Sequence, residues 1–390
     1  MRTTHTRSER IIGLDVVRAI AILTVVISHS LPFLAPLQNR GWVGKPLSIA
    51  LTNIETLGLL GVELFFVLSG FLIGNILIKT MPDEGALPAS ELRNFWVRRW
   101  YRTLPAYWLI LTVNIVLYKA IDLQQVEAYK FLFYPFLQNL WYPNPQFFFG
   151  EAWSLSVEEW FYITLPLTLF VSSLLIRYRD KEKFLIRIFV IYLLAFALIR
   201  VINAFHPLNG PDQDSGIRKV VLFRLDAVMF GVLFAYLKNY RFAFLQKVKV
   251  PLFIVSLVSF PVLYYLIATP GITIARSEDP AIKWFSDAFL YLFIPLLFSC
   301  CLPFAFSVRH IRSKHLSAAV QHVSKVSYSM YLVHYSLIYI PFFYFLKLES
   351  TTTILGLYLL YWVLVFGCST LLYRFVELPI LRYRDRISHP

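Results

Sequence analysis

The sequence predicts an all-α, polytopic integral membrane helix bundle of about ten transmembrane helices with both termini cytoplasmic. Three observations predict it. The 390 residues are 58% hydrophobic and 17% aromatic but only 15% charged, with mean hydropathy +0.61, which leaves too much apolar surface for a soluble domain to hide. Apolar runs long enough to cross a bilayer begin near residues 11, 55, 100, 155, 184, 219, 250, 285, 325 and 353. The connections between them alternate between base-rich and base-poor, the pattern that fixes orientation and favours an even count of crossings.

Each run takes its place from these charges. The first follows Arg2, Arg7 and Arg10; Asp15 and Arg18 interrupt it and no clear cleavage site follows, so it reads as a retained helix and not a removed signal. The second, "GLLGVELFFVLSGFLIG", returns to a connection holding Lys79, Arg93, Arg98, Arg99 and Arg102. The third opens with "FWVRRWYRTLPAYW" and leads to the longest connection, roughly 120 to 152, with "YPFLQNLWYPNPQFFFGEAW". That stretch suits an interfacial or partly re-entrant loop, as an aromatic belt or as a sugar-stacking surface. The fourth, "EAWSLSVEEWFYI", ends at Arg177, Arg179, Lys181, Lys183 and Arg187. The fifth and sixth flank Asp212 and Asp214, and the sixth leads to Lys238, Arg241, Lys247 and Lys249. The seventh and eighth flank Glu278 and Asp279, and the eighth reaches Arg309, Arg312, Lys314 and Lys325. The ninth carries "SYSMYLVHY", and the tenth ends at Arg382, Arg384 and Arg386.

The net charge of +14 therefore sits in short loops, as a topology signal and not as a nucleic-acid patch. Cys300, Cys301 and Cys368 lie in apolar segments, with neither a disulfide framework nor metal-ligand spacing. No internal repeat stands out, and residues 1–390 are expected to form one membrane-embedded domain without an appended soluble domain.

Ionisable groups inside the runs are costly and call for a function. "GLDVVRAIAILTVVISHS" holds Asp15, Arg18 and His29. Arg18 and His29 are eleven residues apart, about three turns plus ~20°, so they share one face over roughly 16 Å of axis. With the N-terminus inside, His29 lies near the outer end. Glu63 in the second run and Glu158 and Glu159 in the fourth fall at a comparable depth, where a carboxylate can orient an imidazole. Ser69, Arg224, Asp226, Tyr331 and His334 add further polar groups, together making a chamber biased outward. At the inner end, Arg98, Arg99 and Arg102 read either as headgroup contacts of the positive-inside type or as a guanidinium fork for a polyphosphate. A basic inner mouth joined by a polar stripe to an outer histidine points to a cytoplasmic anionic donor and a deeper reaction centre. A secondary transporter or flippase for a glycan precursor, using the buried groups as a proton relay, is the alternative; the missing repeat and paired broken helices weigh against it.

The residues resemble a family. "GLDVVRAIAILTVVISHS" contains the Arg-x10-His pattern in the first helix of the membrane acyltransferase-3 family. "GVELFFVLSGFLIG", "RRWYRTLPAYW", "WSLSVEEWFYI", "FRLDAVMFGVLFAY", "SYSMYLVHYSL" and "YRFVELP" resemble its other signatures in order, over nearly the whole chain. Trp160 and Leu378 depart from the family's usual residues at their positions.

The resemblance implies transfer of an acyl group, acetyl being favoured, from cytoplasmic acyl-CoA to a hydroxyl of a saccharide, glycan or other acceptor, at a bacterial cytoplasmic membrane and without metal. The roles it suggests follow from the polar groups above. Arg98, Arg99 and Arg102 would hold the coenzyme's phosphates, with Arg18, beside Asp15, on the path of its pantetheine arm. His29 would be general base or, through an acyl-imidazole, nucleophile, the former being favoured; Glu63 or Glu158 would orient it. Arg224 or Ser69 would stabilise the oxyanion, and Asp226 and His334 complete the substrate-binding set.

Overall fold

The structure is a computed structural model, describing residues 10–38, 55–122, 128–141, 148–209, 213–268, 277, 279–345 and 350–387. Arg2, Arg7, Asp212 and Glu278 of the charge pattern lie outside the described residues. Those described are helical, with no strand among them. In order come α1 (Ile12–Ser30), α2 (Glu55–Thr80), α3 (Ala89–Ala120), α4 (Ala152–Leu175), α5 (Lys181–Phe205), α6 (Leu225–Tyr240) and α7 (Phe242–Ala268). Then follow α8 (Pro280–Phe285), α9 (Tyr291–Ser299), α10 (Lys314–Val333), α11 (Ile340–Phe345), α12 (Thr351–Leu372) and α13 (Leu378–Ile387).

Among the described residues, seven helical stretches are long and apolar enough to cross a membrane: Ile12–Leu37, Thr56–Thr80, Ala89–Ala120, Lys181–Phe205, Phe242–Ala268, Pro280–Ala305 and Thr351–Arg386. The other three expected spans correspond to α4, α6 and α10. Glu158 and Glu159 lower the hydropathy of α4, α6 has only 16 residues, and α10 opens in a polar half. Helix starts fall earlier than the apolar runs at α3 and α10, because hydropathy reads what suits lipid whereas caps decide where a helix begins. Ser313 Oγ accepts from Leu316 N, starting α10, and Asp180 accepts from Lys183 N, starting α5.

The packing is centred on α2. Of its apolar window 72% is buried, against 17% in α7 and 22% in the stretch containing α12. Gly70 lets α2 approach α6 until a Cβ would strike the Val228 carbonyl; Gly231 makes the reciprocal approach to the Val67 carbonyl. Gly58 and Gly61 do the same toward Ser28 and Thr24 of α1. Small residues thus bring α1, α2 and α6 close enough to share the bundle's buried polar groups. The outer helices turn apolar side chains outward: Ile191, Leu194, Leu198 and Ile202 of α5 are exposed, while Arg200, on the opposite face, is 0% exposed.

Residues 128–141 fold into the bundle. Tyr107 Oη donates to the Phe133 carbonyl (3.0 Å), Trp108 Nε1 to Tyr134 (3.0 Å) and Trp160 Nε1 to Phe136 (2.8 Å), while Val221 N donates to Asn139 (2.8 Å). Phe133, Phe136, Phe148 and Phe149 are buried, so these rings pack the interior and do not form an aromatic belt. Among the described residues of this region, Phe131, Leu132 and Trp141 are the exposed large apolar side chains.

Among the described residues there are four π-helical turns: Asp214–Arg218 in the connection before α6, and Ser286–Leu290, His334–Tyr339 and Tyr373–Glu377 within longer helical stretches. The third bears on function: it begins at His334.

Candidate active site

On α1 the polar stripe is divided between two partners. Asp15 is gripped by Arg10 (Nε to Oδ2, 2.5 Å) and accepts from Ser324 Oγ of α10 (2.6 Å). Arg18 stands 3.9 Å from Asp15 and donates to Ser324 Oγ (3.3 Å). Arg10 thus neutralises most of Asp15, and the Asp15–Ser324 link fixes α1 to α10. The Arg18 guanidinium is left directed at a cavity of about 110 Å³.

That cavity is basic. Arg99 and Arg102 of α3 line it with Arg18, and Glu158 of α4 is the one carboxylate in its wall. Tyr162 Oη donates to Glu158 (2.9 Å) and lies 2.6 Å from Ser69 Oγ, while the Arg99 guanidinium sits 5.6 Å from the Tyr162 ring centre. Three guanidiniums facing one carboxylate, among aromatic walls, suit a polyanionic ligand with an apolar arm. Arg98 is not part of this group. It is exposed, and its carbonyl accepts from Arg384 (3.5 Å). Arg98 and Arg102 are just over a full turn apart, but it is the neighbouring Arg99 that lines the cavity.

The far end of the cavity is closed by Ser154 and Tyr331. The Tyr331 hydroxyl donates to the Glu151 carbonyl (3.0 Å) and lies 2.5 Å from Ser154 Oγ. Behind it is a histidine pair. His29 Nδ1 lies 2.8 Å from His334 Nε2, and the Tyr331 and His334 ring centres are 5.6 Å apart. Neither histidine lines the cavity, so the polar seam stops one side chain short of the expected path to His29.

The hydrogen bonds assign the tautomers. His334 Nδ1 is 2.9 Å from the Tyr331 carbonyl, which can only accept, so this nitrogen carries the proton. His334 Nε2 is then an acceptor, His29 Nδ1 donates to it, and the lone pair of His29 is on Nε2. His29 is half-buried and His334 wholly buried.

Glu63 does not orient this pair. It is ion-paired with Arg224, both 0% exposed, and Arg224 also donates to the Tyr291 carbonyl (3.3 Å). The short reach from α2 to α6 allowed by Gly70 and Gly231 gives Glu63 a cationic partner instead of an imidazole. The same pairing occupies Arg224, which does not line the cavity and is not presented to an oxyanion there. Asp226 is paired with Arg200 (2.6 Å), again with both side chains 0% exposed. Glu158 is in the cavity, on the arginine side of Tyr331, with Tyr162 and not a histidine as its partner.

The carboxylate tied to the histidine segment is Glu151, which accepts from Ser336 N (3.2 Å) and Ser336 Oγ (2.5 Å) inside the π turn that begins with His334. Glu151 opens "EAWSLSVEEWFYI" yet was not singled out by sequence, since as the first residue before an apolar run it reads as an interfacial acid. Arg200, a lone arginine in the apolar "FALIRVINAF", carried a signal: an isolated intramembrane cation implies a buried acid. Outside the spans, burial pushes the Asp214 carboxyl up, but Arg218 and Lys219 outweigh it and hold the carboxyl well below its usual range. Among the described residues no cluster of three His, Cys, Asp or Glu side chains is placed to hold a metal.

Comparison with known proteins decides the family. The sequence profile of the family described as "Acyltransferase domain" matches residues 11–374. The chain belongs to this acyltransferase family. With seven apolar helices, it is a multi-pass membrane member. A Staphylococcus aureus (strain COL) protein provisionally named an O-acetyltransferase is 28% identical over 396 residues, covering 97% of this chain and 58% of that protein. O-acetyltransferase OatA of Staphylococcus aureus (strain NCTC 8325 / PS 47) is 26% identical over 390 residues, covering 94% of this chain and 57% of the relative. This acyltransferase chain thus spans under two thirds of the length of these relatives. No solved structure matches it.

Proposed function

We propose that the protein is an O-acyltransferase, moving an acyl group, acetyl being favoured, from cytoplasmic acyl-CoA to a hydroxyl of a saccharide or glycan-type acceptor at or across the membrane. On this reading the chain crosses ten times with both termini cytoplasmic, in the cell membrane of a bacterium. The observation that carries it is the joint placement of three cavity guanidiniums and a histidine pair behind one tyrosine.

Arg99 and Arg102 hold the phosphates of the coenzyme, and Arg18 contacts the arm that extends along the cavity. Movement of Tyr331 opens the last partition, bringing the thioester to His29. His29 Nε2 removes the acceptor's hydroxyl proton as the oxygen attacks the thioester carbonyl. The positive charge on His29 is shared through Nδ1–H with His334, whose own Nδ1–H is anchored on the Tyr331 carbonyl. Collapse of the tetrahedral intermediate breaks the C–S bond, and the imidazolium returns its proton to the departing thiolate. The division into a phosphate clamp and a base follows from charge: phosphates need delocalised cations, whereas a base must be neutral before it acts.

Vesicles containing the protein, given labelled acetyl-CoA on one face, are expected to release free coenzyme A only when a hydroxyl acceptor is present, and His29→Ala to abolish this while still inserting. Movement of a labelled glycan precursor without coenzyme A release would favour the transporter reading instead.

A further inference from the structure

One residue along α4 from Glu158, Glu159 points about 100° away from the cavity, into a separate groove of about 160 Å³. Trp100 and Trp108 of α3, Tyr134 and Phe136 of the infolded segment, and Trp160 of α4 form its walls. The polar tips of Trp108, Trp160 and Tyr134 are already engaged. The Trp108 and Trp160 indole N–H groups donate to the Tyr134 and Phe136 carbonyls, and the Tyr134 hydroxyl lies 3.2 Å from Thr112 Oγ1. What they present to the groove is ring face. Phe136 holds a left-handed backbone (φ 57°), a conformation phenylalanine rarely adopts, and its carbonyl takes the Trp160 bond.

Glu159 is the exception in this apolar wall. It is 3% exposed, and its Oε2 is buried with no hydrogen-bond partner; Thr103 lies beside the carboxyl on the cavity side. On the proposed topology the groove opens toward lipid. Trp100 (36%) and Trp108 (41%) are exposed at its rim, and Leu109, Val113 and Val116 continue an exposed apolar stripe along α3. An acceptor atom left unpaired in such a place is costly, and no water reaches it from hydrocarbon. The missing donor has to come from a molecule that itself partitions into the bilayer.

We infer that this groove is a binding site for a membrane-borne alcohol, whose hydroxyl donates to Glu159 Oε2 and whose apolar body lies against the Trp and Tyr faces. The inference goes beyond the acyl-transfer reading and does not rest on it: it assigns a second site, separate from the arginine-lined cavity.

The test reads binding and not turnover, so it separates failure of the site from failure of acyl transfer. Protein in phosphatidylcholine vesicles is irradiated with a diazirine-bearing dodecanol or the matching dodecane, at equal bilayer mole fraction, and the labelled peptides are mapped. The alcohol is expected to label the peptides around Trp100–Trp108 and Tyr134–Ile163 about fivefold more than the alkane, the worth of one hydrogen bond. Glu159→Leu is expected to remove that preference, and Glu159→Gln, which keeps an acceptor oxygen, to retain most of it. Equal labelling by alcohol and alkane in the unaltered protein, or a preference that survives Glu159→Leu, overturns the inference.

Discussion

His334 Nδ1 faces a carbonyl, and from that single contact the protonation of two rings follows. A carbonyl cannot donate, so the proton order runs from His29 Nδ1–H to His334 Nε2, and the free lone pair is on the ring of α1. His334 therefore acts through His29, as a positioning and charge-sharing residue. His334→Ala is expected to lower kcat by about tenfold to a hundredfold, less than a full base is worth, and to leave KM for acetyl-CoA unchanged. Steady-state kinetics in vesicles checks this; a raised KM with normal kcat would place His334 in donor binding instead. At this scale the sequence made Arg18 and His29 legible, because helical spacing alone puts them on one stripe. It could not tell which acid meets which base. Glu63 and Arg224 are 161 residues apart, and only the close crossing of α2 and α6 makes them partners.

A π turn starting at His334 breaks the hydrogen-bond register of its helix, and turns of this kind free backbone groups that need other partners. Glu151 supplies one, taking both the N–H and the hydroxyl of Ser336. The turn is thereby tied to the start of α4, close to where Ser154 and Tyr331 close the cavity. Glu151→Ala leaves a buried N–H unpaired and is expected to let the turn shift. Turnover should fall by about tenfold or more, as one lost buried bond implies, with donor KM little changed. Glu151→Gln keeps an acceptor for that N–H and should recover most of the rate; equal loss in both would show that the carboxylate's charge and not its hydrogen bond matters. Apolar runs made the helices themselves legible. The π turns and the early start of α3 were not, since caps and carbonyl partners set them and neither has a hydropathy signature.

Across the whole molecule, two buried ion pairs, Glu63–Arg224 and Asp226–Arg200, join α2, α5 and α6. Their placement away from the cavity gives them a structural role: each charge is tolerated only while its partner is present. Arg200→Met alone is expected to destabilise the protein by about 3–5 kcal/mol, and Arg200→Met with Asp226→Leu to be close to neutral. Thermal unfolding in detergent checks the pair, and equal destabilisation by single and double variants would contradict it. The reading of a basic entrance and a distant histidine was available from sequence because charge position along each helix was. Its actual composition was not, for Arg98 and Arg99 differ only in which way the helix turns them.

The central claim is that a coenzyme A donor lies along the arginine-lined cavity with its sulfur end at the Tyr331 partition. Ser154→Cys, in a background with the three native cysteines replaced, tests it directly through mixed-disulfide formation with oxidised coenzyme A, read by mass spectrometry of the intact protein. The account predicts one coenzyme A attached per chain, prevented by acetyl-CoA and strongly slowed by Arg99→Ala but not by Arg98→Ala. No attachment at position 154, or attachment indifferent to Arg99 and to acetyl-CoA, would contradict it.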